Sequence, residues 1–183
     1  AGTMLTGNHN IIKGGKFWLW GPNSEWDTKI LTDNSGHYCE LMAGAYSDNQ
    51  PDYNWSAPYE TKEFSQYWYG IRDMEGVKAG DRHAAINMDV LDGSKVLVGV
   101  NTTEPMKALR VVLRSADGAE VWSATSDVAP DKPFVNTVKL DKGIDTKALT
   151  MTLEDASGKT MLTYRPVVKD PNKPLPAIVE RPK

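Results

Sequence analysis

Apolar and polar residues alternate along most of this chain with the two-residue period of a half-buried β-strand. Ile86, Met88 and Val90 alternate with polar neighbours, and Leu109, Val111 and Leu113 and then Leu149, Met151 and Leu153 repeat the pattern. Asp92-Gly93, Asp117-Gly118, Lys142-Gly143 and Ser157-Gly158 separate these runs, each a turn-forming pair. Between about 84 and 165 the pattern predicts seven strands at 8–14-residue spacing. That spacing points to an immunoglobulin-like or fibronectin-like β-sandwich, although no Cys…Trp…Cys signature marks a true immunoglobulin domain. No stretch keeps a 3.6-residue apolar period with caps, so helices are not expected.

The first 75 residues also read as strands. Lys16–Trp20 is one, with Trp18 and Trp20 on a common face. His37–Tyr46 is a second, with Tyr38, Glu40 and Met42 on one side, and Phe64–Ile71 is a third. Residues 47–58 form a twelve-residue connection without periodicity, a length that is often functional in compact domains.

Composition then splits the chain. Thirteen of the sixteen aromatic residues lie in 1–70, and residues 1–75 carry a net charge of −5 against +2 for the remainder. Two units with different jobs are predicted, 1–75 and 76–165, joined near Glu75–Asp81. With Pro166, Pro171, Pro174, Pro176 and Pro182, residues 166–183 are expected to be an extended linker toward a further domain, the alternative being a terminal arm lying on the sandwich. An overall charge of −3 and a pI near 5.6 argue against a nucleic-acid partner. No run of 18 apolar residues is present to span a membrane. The single Cys39 excludes an internal disulfide framework.

The candidate chemistry is concentrated in the first unit. Glu40 sits mid-strand among apolar neighbours, an unfavourable place for a carboxylate. In a cleft, desolvation would suit it to general-base work; on an exposed strand it would simply pair with a cross-strand lysine. The loop carrying Asp48, Gln50, Asp52, Tyr53 and Trp55 combines carboxylates, amides and flat rings, the chemistry by which sugar hydroxyls and ring faces are bound. Trp18, Trp20, Trp26 and Tyr46 extend such a platform, with about half of the aromatic rings expected to be core. The histidines at 9, 37 and 83 are too scattered for a catalytic zinc site, and no phosphate-loop, dinucleotide or nucleophile-elbow motif occurs. No cofactor is therefore expected. Asn54 and Asn101 head Asn-x-Ser/Thr sequons.

About residues 1–72, through Lys16-Phe17-Trp18-Leu19-Trp20-Gly21, Trp26-Asp27, Glu40-Leu41-Met42-Ala43-Gly44, Asp48-Asn49-Gln50-Pro51-Asp52 and Gln66-Tyr67-Trp68, resemble the DUF5107 family. These are bacterial proteins of unknown function, often followed by tetratricopeptide repeats and similar to the C-terminal part of galactose mutarotases. The resemblance implies an all-β fold: a partial galactose mutarotase-like supersandwich, then the β-sandwich as an accessory domain. It implies that Glu40, in Gly36-His37-Tyr38-Cys39-Glu40, is the base acting on a sugar, with Gln50-Pro51 at the family's distance beyond it. His9 lies where relatives carry a His pair, and it is included among the sugar-binding candidates. The expected function is a carbohydrate-recognising fragment, either catalytic (mutarotation, or glycoside cleavage with Asp48, Asp52 or Glu60 as second carboxylate) or a non-catalytic sugar-binding or assembly module. Half a supersandwich would expose strand edges and an apolar face, so the rest of the sheet is expected from another chain or a cleaved N-terminal piece. The resemblance also leans toward an exported setting.

Overall fold

Twelve strands and two short helical turns make up the described part of the chain, and every strand pairing is antiparallel. The computed structural model describes residues 1–19, 27–47 and 53–167. The chain divides into two units, Ala1–Ile71 and Arg72–Lys183.

The first unit holds β1 (Gly2–Gly7), β2 (Gly14–Leu19), β3 (Cys39–Gly44) and β4 (Gln66–Ile71). These form two two-stranded ribbons, β1 with β4 and β2 with β3. Gly7 ends β1 where a side chain has no room: a Cβ there would lie 3.0 Å from Ile12 and 3.1 Å from the Ser65 carbonyl. The strand predicted over His37–Tyr46 is shorter than expected. Tyr46 has φ 64°, a left-handed conformation that cannot continue a pleat, and its N–H donates instead to the Ile11 carbonyl at 2.7 Å. Likewise Phe64 and Ser65 stay outside β4, because β1 ends at Gly7, opposite Gln66. Among the described residues of 1–71 none is buried. A two-stranded ribbon leaves both faces open and is marginal by itself, so the rings expected to be core remain partly exposed.

The second unit begins with β5 (Ala79–Gly80), followed by β6 (Ala84–Val90), β7 (Lys95–Thr102), β8 (Met106–Arg114), β9 (Glu120–Val128), β10 (Phe134–Lys139), β11 (Thr150–Glu154) and β12 (Thr160–Tyr164). One sheet runs β10-β7-β6-β5 and the other β12-β11-β8-β9. The predicted alternation supplies the core between them. Ile86, Val96, Val98 and Val100 from the first sheet meet Leu109, Val111, Leu113, Met151 and Leu153 from the second, all essentially fully buried. No sheet among the described residues closes on itself.

Three of the predicted turns join hairpins, and an aspartate organises each. The Asp92 carboxylate accepts from the Ser94 and Lys95 N–H groups, Asp117 from Ala119, and Asp155 from Ser157 and Lys159. Hydrogen bonds hold all three carboxyls below their usual range, led by the Ser94 N–H for Asp92, the Ser115 hydroxyl for Asp117 and the Ser157 hydroxyl for Asp155.

Residues 74–78 are pinned on the outer face of the first sheet. Met74, 2% exposed, fits over Gly99, where an added Cβ would stand 3.3 Å from the Met74 side chain. Asn87, fully buried, donates to the Met74 carbonyl at 2.7 Å and to Asp89 at 2.9 Å. Lys78 closes the arrangement by pairing with Asp89 at 2.7 Å. Burial pushes the Asp89 carboxyl up, but hydrogen bonds from Lys78 and Asn87 and the Lys78 charge outweigh it and hold the group below its usual value. Asn101 is also fully buried, which removes its sequon from use as a glycosylation acceptor.

Strand β8 carries a bulge. Met106 pairs with Val128 and Leu109 with Ser126, leaving one extra residue on β8. Ala108 takes φ 51°, and Asp127 fixes the bulge by accepting from the Ala108 N–H at 2.9 Å and Lys107 Nζ at 2.8 Å. A left-handed alanine carries about 1–2 kcal/mol of strain, while glycine loses about 0.5–1 kcal/mol in chain entropy. Ala108→Gly is therefore expected to raise stability by about 0.5 kcal/mol in urea denaturation, and Ala108→Val to lower it by more than about 1 kcal/mol. A glycine variant less stable than the parent would show that the methyl group packs productively.

Candidate functional site

The sequence-selected residues of the first unit fall into two groups. Glu40 lies on β3 directly opposite Trp18 of β2. In an antiparallel pair, opposite residues share a face, so Lys16, Trp18, Glu40 and Met42 line one side of the ribbon. Trp18 is 53% exposed and Glu40 half-buried. The Tyr38 hydroxyl donates to Glu40 Oε1, fixing the carboxylate from two residues away. The opposite face is apolar, with Phe17, Leu19 and Leu41 all exposed, joined by Cys39.

Tyr46, Tyr53 and Trp55 form the second group, with Lys62 as its clasp. Lys62 Nζ donates to Asn54 Oδ1 and the Trp55 carbonyl and sits 5.7 Å from the Tyr46 ring centroid. Asn54 in turn donates to the Tyr46 carbonyl at 3.0 Å. The Tyr46 hydroxyl donates to the Glu63 carbonyl, and its ring meets Phe64 edge-on at 6.0 Å. Tyr53 and Trp55 pack edge-to-face at 5.7 Å while remaining 72% and 81% exposed. Glu60 accepts from the Ala57 N–H at 2.7 Å and lies 3.6 Å from Lys62. No hydrogen bond or ring contact among the described residues joins Glu40 to this group. His9 is exposed in the turn after β1. Trp20, Trp26, Asp48, Gln50 and Asp52 lie outside the described residues, as does most of the Pro-rich segment. Among the described residues no group of three or more His, Cys, Asp or Glu side chains is placed to hold a metal ion.

Sequence reasoning missed a cleft of about 670 Å³ in the second unit. It opens where the turn before β6 (Asp81, His83), the β7–β8 connection (Glu104) and the β11–β12 turn (Asp155 to Lys159) converge on Met106, Leu109 and Met161. Its residues are scattered over eighty positions and match no motif. The only sequence signal was the clustering of charge in turns that any soluble sandwich shows.

The second unit is thus a pair of four-stranded antiparallel sheets around one core, with loops gathered at an end cleft. A family model described as YphG-like protein, second domain, matches residues 80–164, which spans β6 to β12. This corrects the family resemblance read from the sequence. The model that matches is that of the YphG-like second domain, not DUF5107, and the match lies on the second unit, outside the residues that carried the likeness.

Proposed function

We propose that this chain is a non-catalytic carbohydrate-binding module, in which a sugar packs on Trp18 and its hydroxyls bond to Glu40. The observation that carries the reading is the register pair Trp18–Glu40: an exposed indole and a carboxylate side by side on one ribbon face. An aromatic plane takes the C–H side of a sugar ring, and a carboxylate takes its hydroxyls. Binding is favoured over proton transfer because Glu40 is engaged by the Tyr38 hydroxyl and Glu60 by its own loop. The second unit then serves as an accessory domain of fibronectin-like topology. The strand orders β10-β7-β6-β5 and β12-β11-β8-β9, two antiparallel sheets around one core, support that reading. Tryptophan fluorescence titrated with galactose, glucose and mannose tests the proposal. Saturable quenching in the millimolar range is expected, absent in Trp18→Ala and about tenfold weaker in Glu40→Gln. No saturable change with any of the sugars would end it.

A second reading is an assembly role for the first unit, as a supersandwich-like layer covered by a partner sheet. It is favoured by the absence of any buried residue among those described in 1–71 and by the exposed Phe17, Leu19 and Leu41 face. Concentration-dependent association in sedimentation, weakened by Leu41→Lys while sugar quenching persists, is its expected mark.

A further inference from the structure

We propose that the exposed Tyr53–Trp55 ring pair of the first unit docks a proline-rich strand in the polyproline II conformation, and that its occupant is residues 171–176 of a second copy of this chain. The rings are held in place but not covered. They pack edge-to-face at 5.7 Å and remain 72% and 81% exposed. Lys62 ties the segment down by donating to the Trp55 carbonyl and to Asn54. Among the described residues neither the Tyr53 hydroxyl nor the Trp55 indole N–H has a hydrogen-bond partner. Lys62 also borders an open cleft of about 450 Å³ with Glu63, Phe64 and Ser65, and Phe64 is 49% exposed. A third open ring and a cleft thus adjoin the pair through Lys62.

The chemistry of this surface selects its ligand. Flat rings with free donors suit a strand rich in carbonyls and poor in N–H groups. Proline supplies both: it has no N–H, and its ring packs on an aromatic face. A polyproline II strand is already extended, so little entropy is lost when it docks. Residues 171–176 read Pro171-Asn172-Lys173-Pro174-Leu175-Pro176. Three residues per turn put Pro171 and Pro174 on one edge, about 9 Å apart, and leave Lys173 on another. Charge points to the same occupant. Residues 1–75 carry a net −5, whereas 168–183 hold four basic and two acidic residues, a net of +2. Glu63 lines the cleft without an ion-pair partner among the described residues, and is available to Lys173. The contact is placed between copies because the first unit has no buried residue among those described, as expected of a surface that a second molecule completes.

The test is an amide- and indole-resonance titration of the full chain carrying Pro171→Ala, Pro174→Ala and Pro176→Ala, so that its own tail does not compete. The peptide of residues 168–183 is expected to shift the Trp55 indole N–H and the amides of residues 53–64 saturably below the millimolar range. The same peptide with the three alanine substitutions should bind about tenfold more weakly. Trp55→Ala, a change at an exposed ring, should abolish the shifts, whereas Trp18→Ala should leave them in place and so separate this contact from the sugar site. In the unsubstituted chain the same shifts should develop as protein concentration rises from about 10 μM to about 1 mM. Equal binding of the two peptides, saturable shifts confined to other residues, no saturation, or a docked spectrum that dilution does not change would each overturn the proposal.

Discussion

Leu113→Ala is expected to lower the stability of the second unit by about 3 kcal/mol. Leu113 is fully buried on β8, the strand held between β9 and β11, and faces the shared core. The same core cluster contains Val96, Val98, Val100, Val111 and Val138. β-Branched side chains on paired strands have little rotamer freedom, so they cannot swing into the space a leucine vacates. The cavity term therefore adds to the lost transfer energy instead of being relaxed away. Urea denaturation followed by far-ultraviolet circular dichroism should show a lower midpoint with an unchanged slope. Val135→Ala, on the outer face of β10 at 39% exposure, is the matched control and should change stability by less than about 1 kcal/mol. If the two substitutions proved equal, the packing described between the sheets would be wrong.

The second large effect is expected on the outer face of the other sheet. Glu154, on β11, bridges two arginines of β8: its carboxylate lies 3.0 Å from Arg110 and 3.4 Å from Arg114, with its side chain only 12% exposed. Arg110 also makes a two-point contact with Glu120 of β9 at 2.6 and 2.7 Å, so one chain of charges ties three strands together. Hydrogen bonds from Ser123 and Arg110 hold the Glu120 carboxyl below its usual range. Removing Glu154 leaves Arg110 and Arg114 facing each other on one strand, four residues apart, without the group between them. Glu154→Ala should lose about 2 kcal/mol. The loss should fall in about 1 M salt, where the repulsion of the arginines is screened. Arg110→Met combined with Glu154→Leu should recover most of it, since two apolar groups of similar size replace a pair that gains little over its desolvation. A salt-independent loss would assign the effect to lost packing instead.

The second unit was largely legible in the sequence because its signals are local. Alternation at 109–113 and 149–153 placed the inward faces, and Asp-Gly or Ser-Gly pairs marked the hairpin turns that Asp92, Asp117 and Asp155 now organise. Seven strands lie between 84 and 164, as the spacing predicted. Ala108 was not legible, because nothing in Met106-Lys107-Ala108-Leu109 announces a bulge; Asp127, on the neighbouring strand, imposes it. In the first unit Glu40 and Met42 share a face of β3, as the alternation predicted, while Tyr38 lies before the strand and the pairing of Glu40 with Trp18 was not legible. Strand ends were overextended there, because the left-handed turn at Tyr46 depends on a backbone bond to Ile11, thirty-five residues earlier. The end cleft was invisible for the same reason: it is made by three loops that meet only after the sheets have packed.

Gly2 of β1 pairs with Ile71 of β4, and the pairing runs inward to Gly7 with Gln66. During synthesis, β1 has no partner until some sixty further residues have left the ribosome, a wait on the order of several seconds. The β6–β7, β8–β9 and β11–β12 hairpins, by contrast, close within a few residues of being made. Strand β1 therefore waits longer for its partner than the strands of these hairpins do. Until β4 is made, its open edge, with Met4 and Leu5, is a stretch that a chaperone would protect.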